Sequence, residues 1–166
     1  SEDYYALRLA DAVWGGKPVP YLRAVDDDVP TAAHRSWRVV ATRAQVRDAL
    51  NADPRTAVGG RLESIEVVAR DASGRAAGLS VRGERSYTVR GDVLRTVINR
   101  KLGDRALLST RFSVTSDRAE WVFEGTGFGH GVGLCQLGAA AMARVGATYD
   151  AILKHYYTGI TLSDGA

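Results

Sequence analysis

The sequence predicts an α+β fold: antiparallel β-hairpins with three to four short helices, packed as a single compact domain (1–166) with a groove. Three observations carry this expectation. Two hairpin signatures, each a pair of alternating apolar runs around a polar turn, lie at 65–81 and 112–123. Helix signals occur singly between the strand runs rather than in regular βαβ alternation, which points to an antiparallel sheet. Finally, 166 residues at 45% hydrophobic and 25% charged suit one domain, large enough for a core and too short for two.

Residues 1–34 read as an irregular lead-in, because Gly15, Gly16, Pro18 and Pro20 break both helix and ladder. Ser36 to Ala41 is a strand with Trp37 and Val39 on one face. Thr42-Arg43-Ala44-Gln45 is a capping box that starts a helix through Leu50, with Val46 and Leu50 stacked on its inner side. Ile65, Val67 and Ala69 alternate with polar residues, as do Ala77, Leu79 and Val81. Asp71-Ala72-Ser73-Gly74 turns the chain between them, and Tyr87 and Val89 mark a third strand. Asp92 is expected to cap a helix to Leu102, with Val93, Leu94, Val97 and Ile98 inward and Gly103 as its stop. Phe112 and Val114, then Trp121 and Phe123, make the second hairpin around Ser116-Asp117-Arg118. One helix follows near 134–145, ended by Gly146. Another is capped by Thr148 and ends before Gly159.

Charge is unevenly placed along the chain. The net charge is +3, yet 1–34 carry three basic and six acidic groups, whereas 82–118 carry nine and four. Such a cationic stretch suits an anionic partner, or is simply a solvated arginine-rich face. No run approaches 18 apolar residues, so a membrane span is not expected. Met142 is the only methionine, which predicts a processed product or an excised fragment. Cys135 is the only cysteine and cannot form an internal disulfide.

The informative segment runs from Gly125 to Tyr157. Gly125, Gly127, Gly129, Gly131 and Gly133 occupy every second position, with His130 among them. A strand needs side chains to bury, so alternating glycines mean a backbone that is exposed or closely approached. The loop feeds into a helix start, gathering His130, Cys135, Gln136 and backbone N–H groups around one small volume that suits an acetamido or carboxylate group. His130 capping a helix end in a tight turn is the plainer alternative. A nucleotide loop is disfavoured, since no Lys-Ser/Thr pair and no βαβ repeat accompany the glycines.

These residues resemble a known family. GFGHGVGLCQLGAAAMARVGATYDAILKHYYTG (Gly127 to Gly159) is similar to the closing signature of the stage II sporulation protein D / amidase-enhancer family. VWGGKPVPYLRAV (Val13 to Val25) and VRGDVLRTVINRKLGDRALLSTRFSV (Val89 to Val114) resemble earlier stretches of it, in the family's order. The resemblance implies an extracytoplasmic protein of the bacterial cell envelope. Its partners would be peptidoglycan glycan strands and, for some members, a cell-wall amidase; nucleic acid is not expected. Characterised sporulation members are lytic transglycosylases, whose one carboxyl group both gives and takes a proton. The family places that glutamate in an N-terminal segment of the type VVAxEM, so this chain is expected to be the C-terminal part of such a domain.

Within the chain, Glu124 directly precedes the glycine loop and is the carboxylate offered in the acid's place. The expected substrate-binding residues are His130, Gln136, Gly129, Gly131 and Tyr157, while Tyr156, in phase with Ile152, belongs to the core. No cofactor is expected. Zinc is the one metal the resemblance raises, with His130 and Cys135 as two ligands where a structural zinc takes four. The functional classes are thus a lytic transglycosylase portion and a non-catalytic wall-binding or amidase-modifying module.

Overall fold

A computed structural model describes residues 20–22, 36–129 and 134–163. The backbone gathers into a larger unit, Arg35–His130, and a smaller one made of Ser1–His34 with Gly131–Ala166. The larger unit contains β1 (Ser36–Thr42), α1 (Arg43–Asn51), β2 (Leu62–Arg70), β3 (Ala76–Gly83), β4 (Tyr87–Val89), α2 (Gly91–Leu102), β5 (Phe112–Ser116) and β6 (Glu120–Thr126). Its strands make two antiparallel three-stranded sheets, ordered β1-β6-β5 and β2-β3-β4. The α+β class and both hairpins are as expected.

Local chemistry explains the element starts. Thr42 ends β1 and caps α1: its hydroxyl accepts from the Gln45 N–H at 3.1 Å, and its own N–H donates to Gln45 Oε1 at 2.8 Å. Both donors would otherwise be unsatisfied at a helix start. In the β2–β3 turn, Asp71 Oδ1 accepts from the N–H groups of Ser73 (2.9 Å) and Arg75 (3.1 Å). Gly74 there adopts φ +74°, which a residue with a Cβ takes up only under strain.

Two readings need correction. Asp92 lies in the first turn of α2, not at its cap, which is Arg90 without a side-chain capping bond. The Asp92 carboxylate instead accepts from the Arg90 guanidinium at 2.9 and 2.6 Å. In the first hairpin, Ala76 rather than Ala77 is fully buried, and Ala69 is exposed. The pairing slips between Val67 and Ala69, and an irregular register breaks strict alternation of faces.

The core of the larger unit joins both helices to both sheets. Val46 and Leu50 of α1, Leu94 and Ile98 of α2, Leu79 of β3 and Phe123 of β6 have no exposed surface. Each such side chain contributes roughly 1.5–3 kcal/mol of burial. The sheets are tied by the Ala76 N–H donating to the Thr110 carbonyl at 2.8 Å, and by Arg70 Nη2 donating to the Phe112 carbonyl at 2.9 Å.

In the smaller unit lie α3 (Gln136–Arg144) and α4 (Tyr149–Tyr156). Thr148 caps α4 as expected, its hydroxyl accepting from the Ala151 N–H at 3.4 Å. Gly146 turns the chain after α3 at φ +92°. Tyr156 is fully buried with Ile152, and Met142 and Ala139 of α3 pack against them. Among the described residues no helix is long and apolar enough to cross a membrane.

Candidate functional site

The glycine run divides by physical role. Gly125 sits in β6, in register with Trp37 of β1 and Phe112 of β5. A Cβ there would collide with the Trp37 indole and the Arg111 carbonyl, so this glycine admits an aromatic ring. Trp37 then reaches Phe112 with ring centroids 6.3 Å apart. Gly127 and Gly129 adopt φ +76° and +70°, the left-handed region that favours glycine. Among the described residues, nothing lies within 4 Å of where a Gly129 Cβ would be.

Buried polar groups hold this loop. The Gly129 N–H donates to the Leu108 carbonyl at 2.8 Å, and the Gly129 carbonyl accepts from Arg75 Nη1 at 3.1 Å. Arg75 is 2% exposed and also donates to Thr110 Oγ1 at 3.3 Å. Ser109 Oγ donates to the Thr126 carbonyl at 2.7 Å, and Arg95 Nε holds the Leu107 carbonyl at 2.8 Å. Sequence reasoning missed Arg75 and Ser109. Their partners are 54 and 17 residues away, and no local pattern marks them.

Glu124 accepts from Arg38 Nε at 3.1 Å, and both side chains are more than half exposed. The pair walls an open cleft of about 510 Å³ lined by Ser36, Trp37, Arg38, Glu124, Gly125 and Thr126. The arginine-rich stretch is only partly free. Arg90 is paired with Asp92, Arg95 holds backbone carbonyls, and Arg100 reaches Asp53 at 3.4 Å.

His130 and Gly131 lie outside the described residues. In the smaller unit Cys135 is the N-cap of α3, its Sγ accepting from the Gly138 N–H at 3.4 Å. Gln136 follows as the first helical residue and is exposed. Tyr157, at the C-cap of α4, is half-buried and meets Tyr21 edge-on with centroids 6.4 Å apart. The Thr158 N–H donates to the Tyr21 carbonyl at 3.0 Å, so part of the lead-in is anchored beside Tyr157. Among the expected site residues, then, Glu124 and Gly129 belong to the larger unit, and Cys135, Gln136 and Tyr157 to the smaller. The described residues contain no group of three or more His, Cys, Asp or Glu that could hold a metal, and the Cys135 sulfur is engaged in capping.

Comparison with known proteins adds the wider relationship. The chain is 43% identical over 70 residues to the amidase enhancer of Bacillus subtilis (strain 168), covering 42% of this chain and 9% of that protein. It is 38% identical over 79 residues to the stage II sporulation protein D of the same organism, covering 43% and 23%. An uncharacterized protein of Brachyspira hyodysenteriae is 30% identical over 151 residues, covering 90% of this chain and 38% of its own length. The chain thus spans well under half of each of these relatives, and its likeness to the sporulation and amidase-enhancer proteins is confined to partial stretches. Residues 29–133, including both sheets of the larger unit, match the family described as a domain of unknown function, DUF8618, and the chain belongs to that family.

Proposed function

We propose that this chain binds peptidoglycan glycan strands in the bacterial cell envelope, as the C-terminal part of a lytic transglycosylase of the stage II sporulation protein D type. The observation that carries the reading is the GFGHGVGLCQLG signature together with the partial identity to that protein and to the amidase enhancer. The left-handed Gly127 and Gly129 support it, because a backbone of that conformation is one that glycine in the signature supplies. In this reading His130 and Gln136 each hydrogen-bond groups of the glycan, and Tyr157 with Tyr21 offers ring faces to it.

Proton transfer is assigned elsewhere. A general acid works best in a water-excluded site. Glu124 instead stands on an open sheet face with its oxygen on Arg38. In this reading the chain holds glycan, and Glu124 is not the transglycosylase acid. The 43% identity to a protein named amidase enhancer favours a second reading, a non-catalytic module that modifies a cell-wall amidase.

The test incubates the purified chain with peptide-free glycan strands and assays both retention on the strands and new anhydromuramyl ends. Retention without new ends is expected. New ends that disappear with Glu124→Gln would make Glu124 the acid, and absence of retention would leave the amidase reading.

A further inference from the structure

We propose that the open cleft on the outer face of the β1–β6 pair is a subsite for a carboxylate-bearing sugar ring, with Arg38 as the group that recognises the carboxylate. This rests on the glycan reading above and adds to it a site and a chemical preference.

Successive side chains of a strand point to opposite faces of its sheet. Trp37 points to the core, so Ser36 and Arg38 point outward, and their registered partners Thr126 and Glu124 lie on that same outer face. The Trp37–Gly125 pair between them leaves the floor of the cleft to backbone, and the open cleft measures about 510 Å³. That lies within the range of sites for small ligands.

The polar groups lining this cleft are largely uncommitted. Arg38 engages Glu124 through Nε alone, and neither Nη group has a partner among the described residues. The hydroxyls of Ser36 and Thr126 likewise have no partner among the described residues. A guanidinium with a free two-nitrogen edge is built for bidentate contact with a carboxylate, and flanking hydroxyls suit the hydroxyl groups of a sugar. The contrast with a second basic cleft, of about 490 Å³, is instructive. There Arg43 donates to the carbonyls of Asp117 and Leu62, and Arg47 is paired with Asp48.

Glu124 then acts as a resident competitor. Its carboxylate occupies one edge of Arg38 until a ligand carboxylate takes the other edge or displaces it. An exposed ion pair contributes little to stability, so opening it costs little. A neutral sugar gains nothing from the exchange.

The experiment titrates the 166-residue chain with a peptide-free N-acetylglucosamine–N-acetylmuramic acid oligomer, and with the same oligomer after its lactyl carboxyl is reduced to an alcohol. For the wild type, reduction should weaken binding on the order of tenfold, the scale of one charge-assisted contact. Arg38→Gln should bind both forms with the weaker affinity. Glu124→Gln should tighten the acidic form several-fold, roughly half that scale in free energy, and leave the reduced form unchanged. Both residues are more than half exposed, so the variants should keep the wild-type melting temperature. As a second measurement, rising salt should weaken only the acidic form. Equal wild-type affinity for the two forms, or an Arg38→Gln variant that still discriminates, overturns the subsite and leaves the glycan reading standing. Binding of neither form overturns the glycan reading and the subsite with it.

Discussion

Arg75 Nη1 donates to the Gly129 carbonyl at 3.1 Å, joining the residue after the β2–β3 turn to the glycine loop 54 positions later. The guanidinium is almost wholly buried, so the loop's backbone is held from inside the larger unit. Arg75→Met should therefore destabilise the chain by about 1–3 kcal/mol, the cost of leaving buried hydrogen-bonding groups unmet. Urea unfolding measures the loss. Unchanged stability would show that the contact does not anchor the loop.

Gly125 should tolerate no side chain. Its missing Cβ is the space filled by the Trp37 ring and the Arg111 carbonyl. Gly125→Ala forces the indole or the β5–β6 pairing to shift, and overpacking of this kind costs about 1–3 kcal/mol. Tryptophan fluorescence and thermal unfolding together should report a displaced, more exposed indole and a lower Tm. A variant with native fluorescence and Tm would contradict the close approach.

Much of this was legible because it is local. The capping box at Thr42 and Gln45 lies within four residues, and the burial of Tyr156 follows from its helical phase with Ile152. Alternating glycines correctly signalled close approach at Gly125. Legibility failed where the cause is distant or irregular. The slip between Ala69 and Arg70, whose partners are Gly78 and Ala76, moved Ala76 inward, and no residue type announces it. The Arg38–Glu124 pair depends on a β1–β6 register spanning 86 positions, which strand patterns alone do not fix. His130, on which the expected site was centred, lies outside the described residues.

Cys135 gives a separable prediction about capping and metal. If its sulfur serves α3 as an N-cap, Cys135→Ser should hold or raise Tm, because serine is a stronger cap. Cys135→Ala should cost about 0.5–1 kcal/mol. A chelator should leave the wild-type Tm unchanged. Destabilisation by chelator, absent in Cys135→Ser, would instead make the thiol a metal ligand.

Asp53 should give the chain a pH-dependent reserve of stability. Hydrogen bonding to the Arg55 side chain at 3.0 and 2.7 Å, aided by the Arg55 N–H and by Arg100, holds its carboxyl well below the ordinary 3.8. A depressed native value means stability that is fully present above 3.8 and is lost as pH falls through the native value. Asp53→Asn should thus lower Tm at neutral pH, and the gap to wild type should narrow progressively below 3.8. A gap that stays constant into acid would refute the ion pair's role.

Binding of peptide-free glycan strands to wild type and His130→Ala, with Tm measured on the same samples, tests the central claim most directly. The proposed role in holding a sugar predicts that His130→Ala weakens binding on the order of tenfold, the loss of one good hydrogen bond to ligand, with Tm nearly unchanged. A large fall in Tm with undiminished glycan binding would contradict it and make His130 a helix cap.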